Sequence, residues 1–472
     1  MSILRAATVE RLRASVRGRV HLPADSGFEP ARRPWNLAVE QDVCAVVEAA
    51  DADDIVALVR YAQSQGLSIA VQPSGHGATG RAGGSVLLRT TRLESIDIDP
   101  ARRTARVGAG VRAGDLQRAA AAHGLTALPG SSPVVTVTGA ALGGGLSWFG
   151  RSFGWMADSV LAFEIVAADG TRQHVTPETD PELFWALRGG GGDLVIVTAM
   201  ELQLHSAPRV FGGRQLWSAD LARQVAEVYR SMTETAPDAL TLWFEVLNFP
   251  GADPMVAIDV TFLGSETDAR RLMTEVDRLP APIVDTRSPM SAADLGTITA
   301  EPVTPSPGLA RGELLTAFDD DVFASLLDEP IAPLLTVQLR HLGGALARPS
   351  DSPHGALTEP YAAYMFGVPS TDAVGDAIVS KQAALAHSLP VSGRKPITFL
   401  NPSEKLSAAL SSPSLQRLRR LKADGIPRMS FAETSRRRMG DPDSHRRWLD
   451  FPSAVTGLGG RSVHRRPGTA VT

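Results

Sequence analysis

Three glycine clusters fall within the first 200 residues, at 71–84 (VQPSGHGATGRAGG), 139–145 (GAALGGG) and 189–192 (GGGG). Each of them adjoins a stretch that reads as a strand. Glycine lets the backbone come close to a ligand and take positive φ, so that N–H groups can converge on an anion. One such loop is commonly no more than a tight turn. Three in a single domain of about 170 residues point to a bound anionic ligand. His76 stands between Gly75 and Gly77. Taken alone it reads as an exposed loop histidine; inside a loop that wraps a phosphate-bearing cofactor it would touch that cofactor or be bonded to it.

The chain has 472 residues, too many for one ordinary domain, and 43% of them are hydrophobic, enough for a sizeable core. A net charge of −4 gives no reason to expect nucleic acid or an anionic membrane as partner. No apolar run approaches the ~20 residues of a membrane span. The N-terminus lacks the apolar centre of a signal peptide, so a cytoplasmic location is expected. Cys44 is the only cysteine, which rules out an internal disulfide and a Cys-rich metal site. Ten histidines form no HExxH pair, and no metal is expected. The only lysines are Lys381, Lys395, Lys405 and Lys422. That skew fits GC-rich coding, so arginine content by itself does not indicate anion binding.

Residues 42–72 read strand, helix, strand, with Asp residues at the helix start and Gly66 at its end. Short strands follow in SVLLR, SIDID and TARVGAG, then a helix, DLQRAAAAHG. This alternation predicts compact α/β units. Beyond about residue 208 glycine thins out. Strand-like ALTLWFEVLNF, MVAIDVTFLG, LTVQLRHLGG and AAYMFGV, separated by helices, predict an antiparallel sheet in a second, α+β domain. Near residue 395 the chain reads PITFLNP and then a helix, PSLQRLRRLKADG.

The nucleotide-binding motifs that could explain the glycines do not hold. TARVGAGVRAGDLQ offers strand, GxGxxxG and helix, but no Asp or Glu stands between Asp115 and Asp158 to hold a ribose. GxSxG and GxxxxGK[ST] are both absent from the sequence.

The loop VQPSGHGATG resembles the first flavin loop of the FAD-linked oxidases of the vanillyl-alcohol-oxidase (PCMH-type) superfamily, berberine-bridge-enzyme-like branch. GAALGGGLSWFGRSFGWMADSVLAFEIVAADG is similar to that family's second signature, DPELFWALRGGGGDLVIVTAMELQLH to its third, and FLN at 399–401 to its Tyr-x-Asn motif. The resemblance spans about residues 35–210 and 395–424. It implies an α+β chain: a PCMH-type FAD-binding domain of two α/β subdomains, and a substrate domain whose antiparallel sheet is covered by helices. The expected boundaries are 1–34, an N-terminal segment; 35–210, the FAD-binding domain; 211–392, the substrate domain; 393–425, a return to the FAD domain; and 426–472, an arginine-rich tail without apolar period, expected to be disordered.

The resemblance places FAD against Pro73, Ser74, Gly75, His76, Gly77, Ala78 and Thr79 in the first loop. From the second signature it adds Thr138, Gly139, Gly143, Gly144, Gly145, Trp148 and Gly154, and from later segments Val197 and Asn401. It implies one covalent flavin bond, through His76, to the 8α-methyl group. Many relatives make a second bond through a cysteine; here Ser132 stands at that position. Other departures are Gln72 for Arg, Pro73 for Gly, Ala78 for Tyr, Asp193 for Asn and Val195 for Gly.

The activity implied is that of an oxidase: hydride passes from a substrate C–H next to O or N to flavin N5, and O2 reoxidises the flavin to give H2O2. The expected partners are O2 and a small molecule, a secondary metabolite or a small alcohol, amine or sugar. No oligomeric state follows from the sequence. A proton acceptor is expected from the substrate domain, with Tyr361 and Tyr364 first, because Tyr61 and Tyr229 sit on helical patterns; Glu245, Glu359 and His341 are further candidates. The alternatives are an NADPH-dependent reductase of the same fold and a catalytically silent flavin-binding protein.

Overall fold

The structure, a computed structural model, describes residues 6–425; the expected tail at 426–472 lies outside the described residues. The first sheet runs in the order Arg19–His21, Ala45–Glu48, Val86–Arg89, Ile69–Val71. Its last three strands are parallel. The crossover helix Ala52–Gln65 makes this possible. Asp51 caps its start by accepting from the Asp53 and Asp54 amides, and Gly66 ends it at φ +64°. Strand Arg19–His21 pairs antiparallel with Ala45–Glu48, so the segment before residue 35 is built into this sheet rather than lying outside it.

The second sheet is antiparallel, in the order Ile96–Asp99, Thr104–Gly108, Ile196–Gln203, Val160–Val166, Arg172–Val175. The GxGxxxG stretch lies at its edge and serves packing. A Cβ on Gly108 would stand 2.2 Å from the Leu93 carbonyl oxygen, and one on Gly110 would stand 2.3 Å from that of Thr90. These glycines let two backbones touch.

The third sheet has eight strands, all antiparallel: Val284–Asp285, Val210–Ser218, Met255–Leu263, Leu240–Leu247, Thr336–His341, Tyr361–Gly367, Leu309–Leu315, with Ser288–Met290 beside Val210–Ser218. Side chains alternate between its faces. Leu240, Leu242, Phe244 and Val246 point to one face, where they join Tyr229, Leu339, Met365, Ile378 and Leu385 in one apolar core. Helices Ala222–Thr235, Asp320–Leu327 and Asp372–Ser388 cover that face. Burial of each large apolar side chain there is worth about 1.5–3 kcal/mol. The opposite face carries Thr241, Trp243 and Glu245 and turns toward the glycine-rich half. Trp243 stacks on Trp148 at 3.7 Å, and Thr261 Oγ1 donates to the Trp148 carbonyl.

The chain then returns to the glycine loops. Helix Ser412–Gly425 lays Leu418 against Gly190, Arg417 pairs with Glu182 at 2.6 Å, and Lys422 stands 3.7 Å from Asp193.

Candidate active site

The first glycine loop leaves strand Ile69–Val71 and turns beside Pro34. Gly75 has φ +82°, and a Cβ there would stand 2.7 Å from Pro34 Cβ, so the turn needs glycine. His76 is held from two sides. Its Nδ1 shares a 2.8 Å hydrogen bond with Ser74 Oγ, and the Trp35 ring stacks on it at 4.4 Å, 13° from parallel. Nε2 is buried with no hydrogen-bond partner. Burial, with the nearby charge of Arg112, pulls the His76 pKa down to about 4. The imidazole is therefore neutral at pH 7 and keeps a lone pair. Ala78 and Thr79 are buried behind it.

Arg112, whose charge reaches His76, forms a backbone bridge to Thr136 at the start of the second signature. Helix Val137–Leu142 follows, and within it Thr138 Oγ1 is buried without a partner. The second and third glycine clusters then meet: Gly191 N donates to the Leu142 carbonyl at 3.0 Å. Gly144 and Gly189, at φ +91° and +96°, form a shallow cradle that holds the ring of His354. A Cβ on Gly144 would stand 2.3 Å from His354 Cε1. His354 stacks on Trp155 at 4.7 Å, and neither of its ring nitrogens has a partner. Its loop is pinned by Ser350 Oγ donating to Asp158 (2.9 Å), and Asp158 also faces Arg188 (3.2 Å).

Val197 is the second residue of the strand Ile196–Gln203 and is buried there. Asn401 is used locally: its side-chain oxygen accepts from the Ser403 amide and hydroxyl. The same segment delivers Phe399 to the polar sheet face, with its ring 5.2 Å from that of Tyr364.

Strand alternation separates the two tyrosines, which lie three residues apart. Tyr361 points into the helix-covered core, where its hydroxyl is 2.6 Å from Thr233 Oγ1. Tyr364 points to the polar face, opposite Gln338 and Gly312. The structure thus does not bring Tyr361 to the face that meets the glycine loops. Glu359 faces Arg394 at 3.3 Å, whereas His341, whose Nε2 accepts from Arg151 at 2.9 Å, lines the cleft between the sheet and the second signature.

Glu245 lies on the polar face within a buried triad. Arg214 reaches both carboxylates, Asp259 at 2.6 Å and Glu245 at 2.8 Å. One guanidinium balances one carboxylate, so one proton is retained. Burial, with Asp259 close by, raises the Glu245 pKa to about 8. At neutral pH Glu245 is mostly a proton donor rather than an acceptor. Asp259, Arg214 and Arg340 were not picked out by the sequence reading. Their signal was a charged residue inside an apolar strand, AIDVTF for Asp259 and VQLRH for Arg340.

A small cleft opens between this face and the second signature. Leu146, Ser147 and Arg151 line it on one side, and Thr241, Trp243 and Arg340 on the other. Among the described residues no group of three or more His, Cys, Asp or Glu is placed to hold a metal, and no helix is long and apolar enough to cross a membrane.

These buried groups set how stability changes with pH. Burial pulls His205 and His354 to about 4 and His341 to about 3. The unfolded chain protonates all three near 6.5, so their contribution is lost as pH falls from 6.5 toward 4. Glu245 has the opposite sign: its contribution is lost as pH rises through about 8. Near pH 5 these imidazoles, with His76, outweigh Glu245, so stability falls as pH falls. Urea midpoints should peak near neutrality and fall on both sides, more steeply on the acid side; a flat acid limb counts against neutral buried imidazoles.

Residues 43–176 match the FAD-binding-domain family. The chain is 32% identical over 293 residues to the (R)-6-hydroxynicotine oxidase of Paenarthrobacter nicotinovorans, a match covering 61% of this chain and 64% of that relative's length. Crystallised 6-hydroxy-D-nicotine oxidase from Arthrobacter nicotinovorans superposes with TM-score 0.76 at 25% identity, covering 87% of this chain and 95% of that one. The berberine-bridge-enzyme-like protein 1 of Physcomitrella patens superposes at 0.78 and 20% identity, covering 92% of this chain and all of that one. The chain has the fold of the PCMH-type FAD-linked oxidases, berberine-bridge-enzyme-like branch.

The residues present fit FAD. Two buried polar atoms have no partners, His76 Nε2 in the first loop and Thr138 Oγ1 in the second signature. Positive-φ glycines line the same region at Gly75, Gly144 and Gly145. His76 Nε2 and Thr138 Oγ1 are thereby left to bond a dinucleotide.

Proposed function

We propose that the protein is an FAD-dependent oxidase acting on a C–H bond next to O or N in a secondary metabolite or small alcohol, amine or sugar. The observation that carries this reading is the polar face of the substrate sheet, set across a cleft from the second glycine signature. Bound FAD would supply the hydride acceptor and pass the electrons to O2 as H2O2. The protein's part is placement and proton handling. Trp243, Tyr364 and Phe399 form an aromatic wall that orients the substrate and excludes water. Tyr364 is the base that accepts the substrate proton: it lies on the polar face beside the Arg340 cation, which favours its phenolate, whereas Tyr361 faces away. His76, neutral and held by Ser74, is the covalent anchor to the 8α-methyl group; with Ser132 at the second attachment position, the anchor is single.

The test needs no knowledge of the substrate. Purified protein is photoreduced without oxygen and then exposed to air. An oxidase should recover its oxidised spectrum promptly and release about one H2O2 per flavin, by the two-electron stoichiometry of the cofactor. Reduced flavin that persists in air, or that is formed rapidly from NADPH, identifies the reductase alternative. Protein that binds flavin but oxidises nothing in a substrate screen identifies the silent one.

A further inference from the structure

Arg340 is a buried guanidinium that has no carboxylate partner. Its residue is 8% exposed. Nε and Nη2 donate to one neutral acceptor, Gln338 Oε1, at 3.2 and 2.7 Å. Aromatic rings take up its faces: Trp243 at 4.0 Å, Tyr364 at 5.2 Å and Phe399 at 5.2 Å. The acids whose charges reach it are Glu301, Glu245 and Asp259, and among the described residues none forms an ion pair with it. Glu245 and Asp259 are committed to Arg214.

A buried charge normally has a partner, because desolvation without one is unfavourable. Ring faces and one amide oxygen compensate this cation only in part. The hydrogen-bonding geometry also leaves an edge open. Guanidinium carries five N–H donors, and Gln338 takes one from Nε and one from Nη2. The edge formed by Nη1 and the other Nη2 proton matches the two oxygens of a carboxylate. Arg340 lines the small cleft between the sheet and the second signature, so a group entering it meets the guanidinium.

We infer that the substrate carries a carboxylate, bound end-on by Arg340, with the aromatic wall against its carbon frame. A single cation among aromatic rings suits a planar monoanion better than a phosphate, which would call for further donors. The inference rests on the proposed reading of this face as the substrate side of the flavin site, and it narrows that reading to acids.

The experiment is calorimetric titration of the flavin-bearing protein with benzoate and with benzamide, which is neutral and nearly the same shape. Benzoate should bind about tenfold more tightly or better, the value of a charge-assisted bidentate contact. Arg340→Met should erase the preference, and Arg340→Lys should keep part of it. The visible spectrum of the same samples separates the two readings. A protein without flavin refutes the function proposed above. A flavin-bearing protein that binds both probes equally, or neither, overturns the carboxylate inference alone, as does an undiminished preference in Arg340→Met. If that variant fails to fold, the unaltered protein decides, and a benzoate preference below about threefold overturns the inference.

Discussion

Tyr364→Phe is expected to slow anaerobic flavin reduction by about 10²–10⁴-fold, the range for lost general acid–base assistance. The substitution removes one hydroxyl and keeps the ring. Packing on Phe399 and contact with Arg340 are therefore preserved, and the flavin spectrum and thermal midpoint should hardly move. Tyr361→Phe is the matched control. Its hydroxyl is bonded to Thr233 on the helix-covered face, so its loss should affect stability by about 1 kcal/mol and the reduction rate by less than tenfold. Stopped-flow reduction of both variants checks the assignment. A fall below tenfold in Tyr364→Phe would move proton removal to Glu245 on the same face or to His341, which lines the cleft. A larger fall in Tyr361→Phe would contradict the face assignment itself.

His76→Ala is expected to abolish covalent attachment of flavin. Nothing else in the first loop offers a nucleophile of comparable strength: Ser74 has only a hydroxyl, and the neighbours are Pro73, Gly75, Gly77 and Ala78. The variant also loses the ring that stacks on Trp35 and the hydrogen bond to Ser74. Acid-precipitated variant should give a colourless pellet and a yellow supernatant. A yellow pellet would reveal a second covalent site, against the reading of Ser132 as inert.

The glycine-rich half of the proposed site was legible in the sequence because its backbone requirement is local. Glycines at fixed spacing around His76, and runs such as GGG and GGGG, state a backbone requirement that one short segment can express. The substrate half was not legible to the same degree. Every residue of Leu240–Leu247 is buried, so hydropathy does not say which of Phe244 and Glu245 faces the helices. The three-residue spacing of Tyr361 and Tyr364 does place them on opposite faces, but only the packed helices decide which one lies on the polar face. Arg214, Asp259 and Arg340 come together from three strands up to 126 positions apart in sequence (340 − 214 = 126), a juxtaposition that no local pattern records. The strand Arg19–His21 was missed for a simpler reason: three residues, partly exposed, carry no alternation to read.

Acid precipitation of the unaltered protein, followed by proteolysis and mass mapping, tests most directly the central claim that FAD is held at the glycine loops through His76. The account predicts a yellow pellet in which a single peptide, the one containing His76, carries the flavin mass. A colourless pellet, or flavin on any other peptide, would contradict it.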